Sequence, residues 1–245
     1  MSIQRYFIEV AYKGTAYSGF QIQDTGKTIQ SSVSQALQTI FRITFELTGS
    51  SRTDAGVHAA QNFFHTDTTV EITEQHIYKL NAVLPKDIVI KQIKQVNPTA
   101  HCRFDAISRT YHYTITQTKA PFLIETAWLF PYKINIAALN EGANMVLAHS
   151  DFTSFSKRNT QVKTFICQIQ YSKWVEREGL LVYEVRSNRF LRGMIRGLVA
   201  TMLKLGTGAI TPANFQGILD AKDCTKADFS APAHGLCLME VLFSN

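Results

Sequence analysis

Over its first 96 residues the chain switches repeatedly between two periods, and that switching restricts the folds open to it more than any other feature. RYFIEVAYKG (5–14) alternates and is rich in aromatic and β-branched residues, which predicts a strand running into a polar loop at Lys13-Gly14. In TIQSSVSQALQTIFRI (28–43), Ile29, Val33, Leu37, Ile40 and Phe41 recur at helical spacing, and Thr28 stands where an N-cap belongs. The pattern then predicts a short strand at 45–47, a strand over 59–65, a helix over 73–83 and a strand over 87–96. The resulting order, βαββαβ, is the split βαβ arrangement, whose open sheet carries helices on one face and leaves the other to a ligand.

The periodicity pauses at Asn97-Pro98, which reads as a domain boundary, and a second series begins with the alternating segment RFDAISRTYHYTITQ (103–117). A helix over 136–148, a hairpin over 165–185 turning at Glu178-Gly179, a helix over 190–205, a shorter one after Pro212 and a last strand at 236–243 follow. The 245 residues are therefore expected to form two α+β domains, 1–98 and 99–245, with enough shared element order to suggest a weak structural duplication.

With 45% hydrophobic and 18% charged residues, no apolar span of membrane length and no signal sequence over 1–14, a soluble, cytoplasmic protein is expected, with no membrane partner. Lys and Arg number 25 against 19 Asp and Glu, a formal charge of +6 that suits a polyanion. Arg186, Arg189, Arg192 and Arg196 crowd one stretch and Lys157, Arg158 and Lys163 another. The same counts describe an ordinary solvated basic surface equally well. The four cysteines form no C-x-x-C pair and have no histidine at zinc-ligand spacing, so they read as reduced, mostly buried thiols. His101 beside Cys102 supplies neither a full ligand set nor an oriented triad.

GSSRTDAGVHAAQNFFH (49–65) sets one carboxylate, Asp54, among small residues just ahead of an apolar run. Gly56 can take a positive φ there, and little bulk shields Asp54, so the carboxylate is placed for use. Asp also forms turns through its side-chain oxygen, and the loop by itself leaves both roles open. Asp54 and His58 stand at i and i+4, but on a loop entering a strand and without further ligands, so no metal is expected.

Six blocks in order over nearly the whole chain resemble the tRNA pseudouridine synthase A family. The Asp54 loop is similar to the family's catalytic loop, AYKGTAYSGFQIQ (11–23) to its Y-x-G-x-x-Y-x-G-W-Q-x-Q start, and HCRFDAISRTYHYTI (101–115) to its H-A-R-F-x-A-x-x-R-x-Y-x-Y segment. DFTSFS (151–156) resembles D-F-x-S-F, RFLRGMIRGLVATML (189–203) the F-L-x-x-M-V-R helix, and APAHGLCLMEV (231–241) the closing A-P-x-x-G-L-x-L strand. Phe20 stands in place of the usual tryptophan and Cys237 where tyrosine is common.

The resemblance implies the pseudouridine synthase fold: two split βαβ-like α+β domains with antiparallel sheets joined across a central basic cleft. It implies that Asp54 is the catalytic aspartate, Tyr111 the active-site tyrosine, Arg196 the arginine that pairs with the aspartate, and Arg52 the loop arginine that extrudes the target base. Leu236 matches an apolar residue packed at the site. Lys157, Arg158, Lys163, Arg189 and Arg192 are the candidates for phosphate contacts. The implied substrate is a uridine at tRNA positions 38–40 of the anticodon stem-loop, converted to pseudouridine by a homodimer without a cofactor. Taken by themselves, Tyr111 on an alternating strand is equally a core residue, and Arg196 equally a surface or phosphate-binding charge. The competing readings are a non-catalytic RNA-binding module or RNA chaperone, for which composition and topology serve as well, and a metal-dependent nuclease, against which the scattered carboxylates speak.

Overall fold

A computed structural model describes residues 2–158 and 162–244. The elements are β1 (Gln4–Tyr12), α1 (Ile29–Phe41), β2 (Thr48–Gly49), β3 (His58–Thr68), α2 (Gln75–Val83), β4 (Ile88–Val96), β5 (Ala106–Thr116), β6 (Trp128–Leu129), α3 (Ile136–Ala148), β7 (Ile169–Arg177), β8 (Leu180–Ser187), α4 (Met194–Gly206), α5 (Pro212–Asp220) and β9 (Leu236–Phe243), with four short 3-10 turns between them. They divide into two compact units, Met1–Ile107 with Cys237–Asn245, and Ser108–Leu236. No helix among the described residues is long and apolar enough to cross a membrane.

In the first unit the strands lie in the order β4-β1-β3-β9, with β2 also on β3. Alternation along β1 buries Tyr6, Ile8, Val10 and Tyr12 and leaves Phe7, Glu9 and Ala11 partly accessible. The α1 stripe Ile29, Val33, Ala36 and Leu37 is buried as its period predicts, Ile29, Val33 and Leu37 each adding about 1.5–3 kcal/mol. Thr28 is the N-cap, its hydroxyl accepting from the Ser31 N–H while the Ser31 hydroxyl accepts from the Thr28 N–H.

The second unit has the strand order β5-β8-β7, with β6 on β5. The β7–β8 hairpin closes at Glu178 and Gly179, with φ of 51° and 77°, the positive pair that a two-residue hairpin turn requires. One device recurs in both units. The Asn81 amide on α2 donates to the Ile90 carbonyl at 2.9 Å and accepts from the Ile90 N–H at 2.8 Å, closing the outward backbone groups of β4. On α3, Asn140 does the same for Trp174 of β7, at 3.1 and 2.9 Å. Each amide satisfies an edge strand that would otherwise present unpaired donors and acceptors.

Several expectations need correction. The sheets are mixed, not antiparallel: β3 pairs parallel with β9 (His58↔Cys237, Ala59↔Leu238) and β5 parallel with β6. A chain that leaves for a whole second unit and returns can add its last strand in either direction. Asn97-Pro98 is a turn inside the first unit, and the division comes at 107/108. Residues beyond Pro98 stay tied down because Arg5 Nη1 donates to the Ala100 carbonyl at 2.8 Å and Cys102 is buried beside His65. β5 begins only at Ala106, since Asp105 accepts the His101 N–H at 2.7 Å and holds a turn there. The strand expected at 45–47 appears as the two-residue β2 at Thr48–Gly49. Gly193, at φ 75°, interrupts the helix expected from 190, so α4 starts at Met194.

His65 packs against Phe7, His101 and Cys102. Burial, reinforced by the neighbouring His101 and Arg5 charges, lowers its pKa to about 4. Burial also lowers that of His112 in the second unit. Between the unfolded value of 6.5 and about 4 the unfolded chain binds the extra proton, so stability present above pH 6.5 is lost as pH falls through that window. Thermal unfolding followed by circular dichroism should show a midpoint that drops from pH 6.5 to 4, and less steeply in His65→Gln.

Candidate active site

Asp54 sits at the start of a tight turn that leads into β3. The Val57 N–H donates to the Asp54 carbonyl at 3.1 Å, and Gly56 takes φ 79°, the position where a turn of this kind favours glycine. The backbone closes the turn. The Asp54 side chain is half-buried, and no hydrogen bond or ion pair to its carboxylate is found among the described residues. The two roles left open by the residues are thus divided between two parts of Asp54, the carbonyl forming the turn and the carboxylate remaining available. Arg52, two residues earlier, is exposed.

The first motif explains how this turn is held. The segment 12–20 passes directly over it: the Phe20 N–H donates to the Thr53 carbonyl at 3.1 Å and the Gly14 N–H to His58 Nδ1 at 2.9 Å. A Cβ on Gly14 would lie 2.0 Å from the Val57 carbonyl oxygen, and one on Gly19, whose φ is 102°, 3.0 Å from that of Thr53. Both glycines are there because backbone meets backbone. Phe20, in place of the expected tryptophan, is buried, stacks on Phe64 at 4.5 Å and 9°, and fills the space over Gly49.

The remaining predicted residues belong to the second unit. Tyr111 on β5 is 7% exposed, opposite Val185, with its ring edge-on to Phe190 at 5.3 Å. Tyr113 is wholly buried, and its hydroxyl donates to the Pro232 carbonyl at 2.8 Å. Arg196, in the first turn of α4, donates through Nε to the neighbouring Ala231 carbonyl at 2.6 Å. These two bonds anchor the A-P-x-x-G-L segment. Gly235 lets it lie flat on the Tyr113 ring, where a Cβ would be 2.7 Å from Cζ, and it delivers Leu236, 7% exposed, at the head of β9. Lys157 and Arg192 are brought together: the Lys157 N–H donates to the Arg192 carbonyl at 3.0 Å, and the Lys157 side chain lies along Gly193. Arg189 is half-buried just before them, and Lys163 is exposed. Arg158 is exposed and faces Asp223, whose carboxyl is held low by the Thr225 N–H and hydroxyl, with Arg158 adding a smaller share.

Among the described residues no group of three or more His, Cys, Asp or Glu is arranged to hold a metal ion. Reading the sequence singled out neither Tyr12 nor Asn62, which contact the Asp54 loop from below, nor the carbonyls of Ala231 and Pro232. Two glycines so close in AYKGTAYSG were the available signal for the first pair.

A sequence profile described as tRNA pseudouridine synthase matches residues 8–105 and 144–244. The chain is 42% identical to tRNA pseudouridine synthase A of Parabacteroides distasonis over 243 residues, which cover 98% of this chain and 96% of that one. It is 36% identical to the protein of the same name from Fervidobacterium nodosum, covering 98% and 100%, and 35% identical to that from an Exiguobacterium species, covering 98% of each.

Gly14→Ala must push the Val57 carbonyl away and so displace the turn that carries Asp54. Its unfolding midpoint should fall by the equivalent of about 1–3 kcal/mol, and turnover in the folded fraction should fall at least about tenfold. Gly217→Ala, in α5 with nothing within 4 Å of the added Cβ, is the matched control and should lose neither.

Proposed function

The chain belongs to the tRNA pseudouridine synthase family, and on that premise we propose that Asp54 is the carboxylate with which it isomerises uridine in tRNA to pseudouridine. The isomerase activity rests on similarity to enzymes over nearly the full chain, which also removes the case for a non-catalytic RNA binder. The observation that carries the assignment to Asp54 is the division of labour in its turn: its backbone carbonyl accepts from the Val57 N–H, while no hydrogen bond or ion pair among the described residues holds its half-exposed carboxylate.

The reaction breaks the N1–C1′ bond, turns the uracil and forms a C5–C1′ bond, so no atom is gained overall. Uracil leaves with the bonding pair as a stabilised anion, and no water has to be activated, so one carboxylate suffices where a glycosidase needs two. In the route we favour, Asp54 removes the C2′ proton as uracil departs, giving a glycal. After rotation C5 attacks C1′, Asp54 returns its proton to C2′, the C5 proton is released and N1 takes one up.

The remaining roles are part of the same proposal. Arg196, fixed through Nε on the Ala231 carbonyl, is the arginine we assign as the partner of the Asp54 carboxylate in the reaction. Tyr111 holds the detached uracil by stacking, an interaction worth roughly 1–3 kcal/mol per base, with Leu236 as an apolar neighbour. The exposed Arg52 enters the stem as the target nucleotide flips out. Lys157, Arg158, Lys163, Arg189 and Arg192 contact phosphates of the cytoplasmic tRNA anticodon stem-loop, the target lying at tRNA positions 38–40.

We also propose a homodimer. On the first unit's sheet, Phe7, Phe63 and Phe243 cluster with ring centroids 5.1–6.4 Å apart. Beside them Arg5 pairs with Asp67 and Lys91 with Glu9, and Lys94 stands exposed opposite Phe7; the apolar cluster with its largely paired rim suits another copy of the chain better than RNA.

Incubation with anticodon stem-loop RNA carrying tritium at uridine C5 should release tritium, and Asp54→Asn should abolish release while leaving RNA binding in place. No release from folded wild-type protein would refute the activity. Sedimentation equilibrium should give the mass of two chains, and that of one chain in Phe7→Glu.

A further inference from the structure

Beneath the Asp54 turn lies a chain of buried polar side chains that the reaction as described does not use. Asn62, fully buried in the interior of β3, donates through Nδ2 to the Ser51 carbonyl at 2.8 Å and to the Tyr12 hydroxyl at 3.2 Å, and its Oδ1 accepts from the Phe63 N–H at 2.9 Å. The Tyr12 hydroxyl lies 2.8 Å from Thr53 Oγ1, with Tyr12 and Thr53 5% and 7% exposed.

Both Asn62 amide hydrogens are spent, one on the Ser51 carbonyl and one on the Tyr12 hydroxyl, and the Tyr12 hydroxyl in turn shares a hydrogen bond with Thr53 Oγ1 in which either oxygen can donate. Burial raises the Tyr12 pKa well above its ordinary value, which keeps its hydroxyl protonated across the working range. The result is a continuous chain of hydrogen bonds from β3 through β1 to the residue adjoining Asp54.

A strand-interior asparagine is a costly way to fill a core, because each of its groups has to find a partner or forfeit about 1–3 kcal/mol. Here the partners are the Ser51 carbonyl on the approach to Asp54, the Tyr12 hydroxyl that itself reaches Thr53, and the Phe63 N–H of the same strand. Thr53 is gripped twice, at Oγ1 by Tyr12 and at its carbonyl by the Phe20 N–H, and Ser51 is gripped at its carbonyl by Asn62. Arg52 between them is left to project outward, and Asp54 follows Thr53 directly.

We propose that Tyr12, Thr53 and Asn62 are positioning residues for Asp54, fixing the loop through Thr53 so that the carboxylate is pre-set before tRNA arrives. The inference rests on the reading of Asp54 as the catalytic group. Loop-borne carboxylates without such support drift, and a displacement of about 1 Å costs on the order of 100-fold in rate.

Single-turnover tritium release from C5-labelled anticodon stem-loop RNA, measured with the full chain at 25 °C alongside circular dichroism and the Kd for the RNA, tests this. Thr53→Val removes the hydroxyl at constant shape and Tyr12→Phe removes its hydrogen-bond partner. Each should slow release by about 10- to 100-fold, with Kd within twofold of wild type. The double variant should be no slower than the worse single one, since both cut the same hydrogen-bond chain. Thr53→Ser, which restores the hydroxyl, should recover most of the rate. Wild-type rates in folded Thr53→Val and Tyr12→Phe, with only the unfolding midpoint lowered, would make the network structural and overturn the proposal. If Thr53→Val fails to fold, Tyr12→Phe decides by the same two readings. Full activity in Asp54→Asn is a separate failure, which removes the catalytic reading itself.

Discussion

Everything at the candidate site depends on a contact between two stretches of backbone. At Gly14 the chain leaving β1 comes so near the Val57 carbonyl that even one methyl group would lie 2.0 Å from its oxygen. At Gly19 it comes back over Thr53. The interval between the glycines is therefore fixed by sterics, and the Phe20 N–H and Gly14 N–H fall opposite their acceptors as a consequence. A loop held in this manner keeps its shape without using the side chain at its tip, which is why the Asp54 carboxylate is left uncommitted.

The loop is held from below by a different kind of interaction. Above it the contacts are close approaches that tolerate only glycine, whereas beneath it the hydroxyls and amide of Tyr12, Thr53 and Asn62 exchange directional bonds in a buried setting where unmade bonds are costly. Packing excludes the wrong positions and the polar chain selects among those that remain. In the second unit Arg196 and Tyr113 meet consecutive carbonyls of the 231–232 strap and achieve the same precision with two bonds.

The helices and most strands were legible because burial imposes a period on sequence. α1 with its Thr28 cap, α3 over Ile136–Ala148, the Glu178-Gly179 turn and β9 over Leu236–Phe243 all appear where the pattern places them. Discrepancies arise where a local bond or a long-range partner overrides the pattern. Asp105 delays β5, Gly193 delays α4, and β9, last in the chain, pairs in parallel with β3. The Asn81 and Asn140 clamps were invisible for the same reason, since an asparagine on a helix looks like any other polar surface residue until an edge strand lies beside it.

By itself the sequence determined the alternation of α and β elements, the glycines that allow close approach, and a carboxylate among small residues, with motifs ordered as in the tRNA pseudouridine synthase family. These are legible because they depend on neighbours in the chain, or on residue types that tolerate no substitute. Only the tertiary structure decided that the last strand belongs with the first unit, that the Asp54 carbonyl rather than its carboxylate makes the turn, and that Tyr12 and Asn62 stand beneath Thr53. Hydrogen bonds between residues 41 and 50 positions apart leave no periodic trace, because their partners become neighbours only once the sheet has set its register.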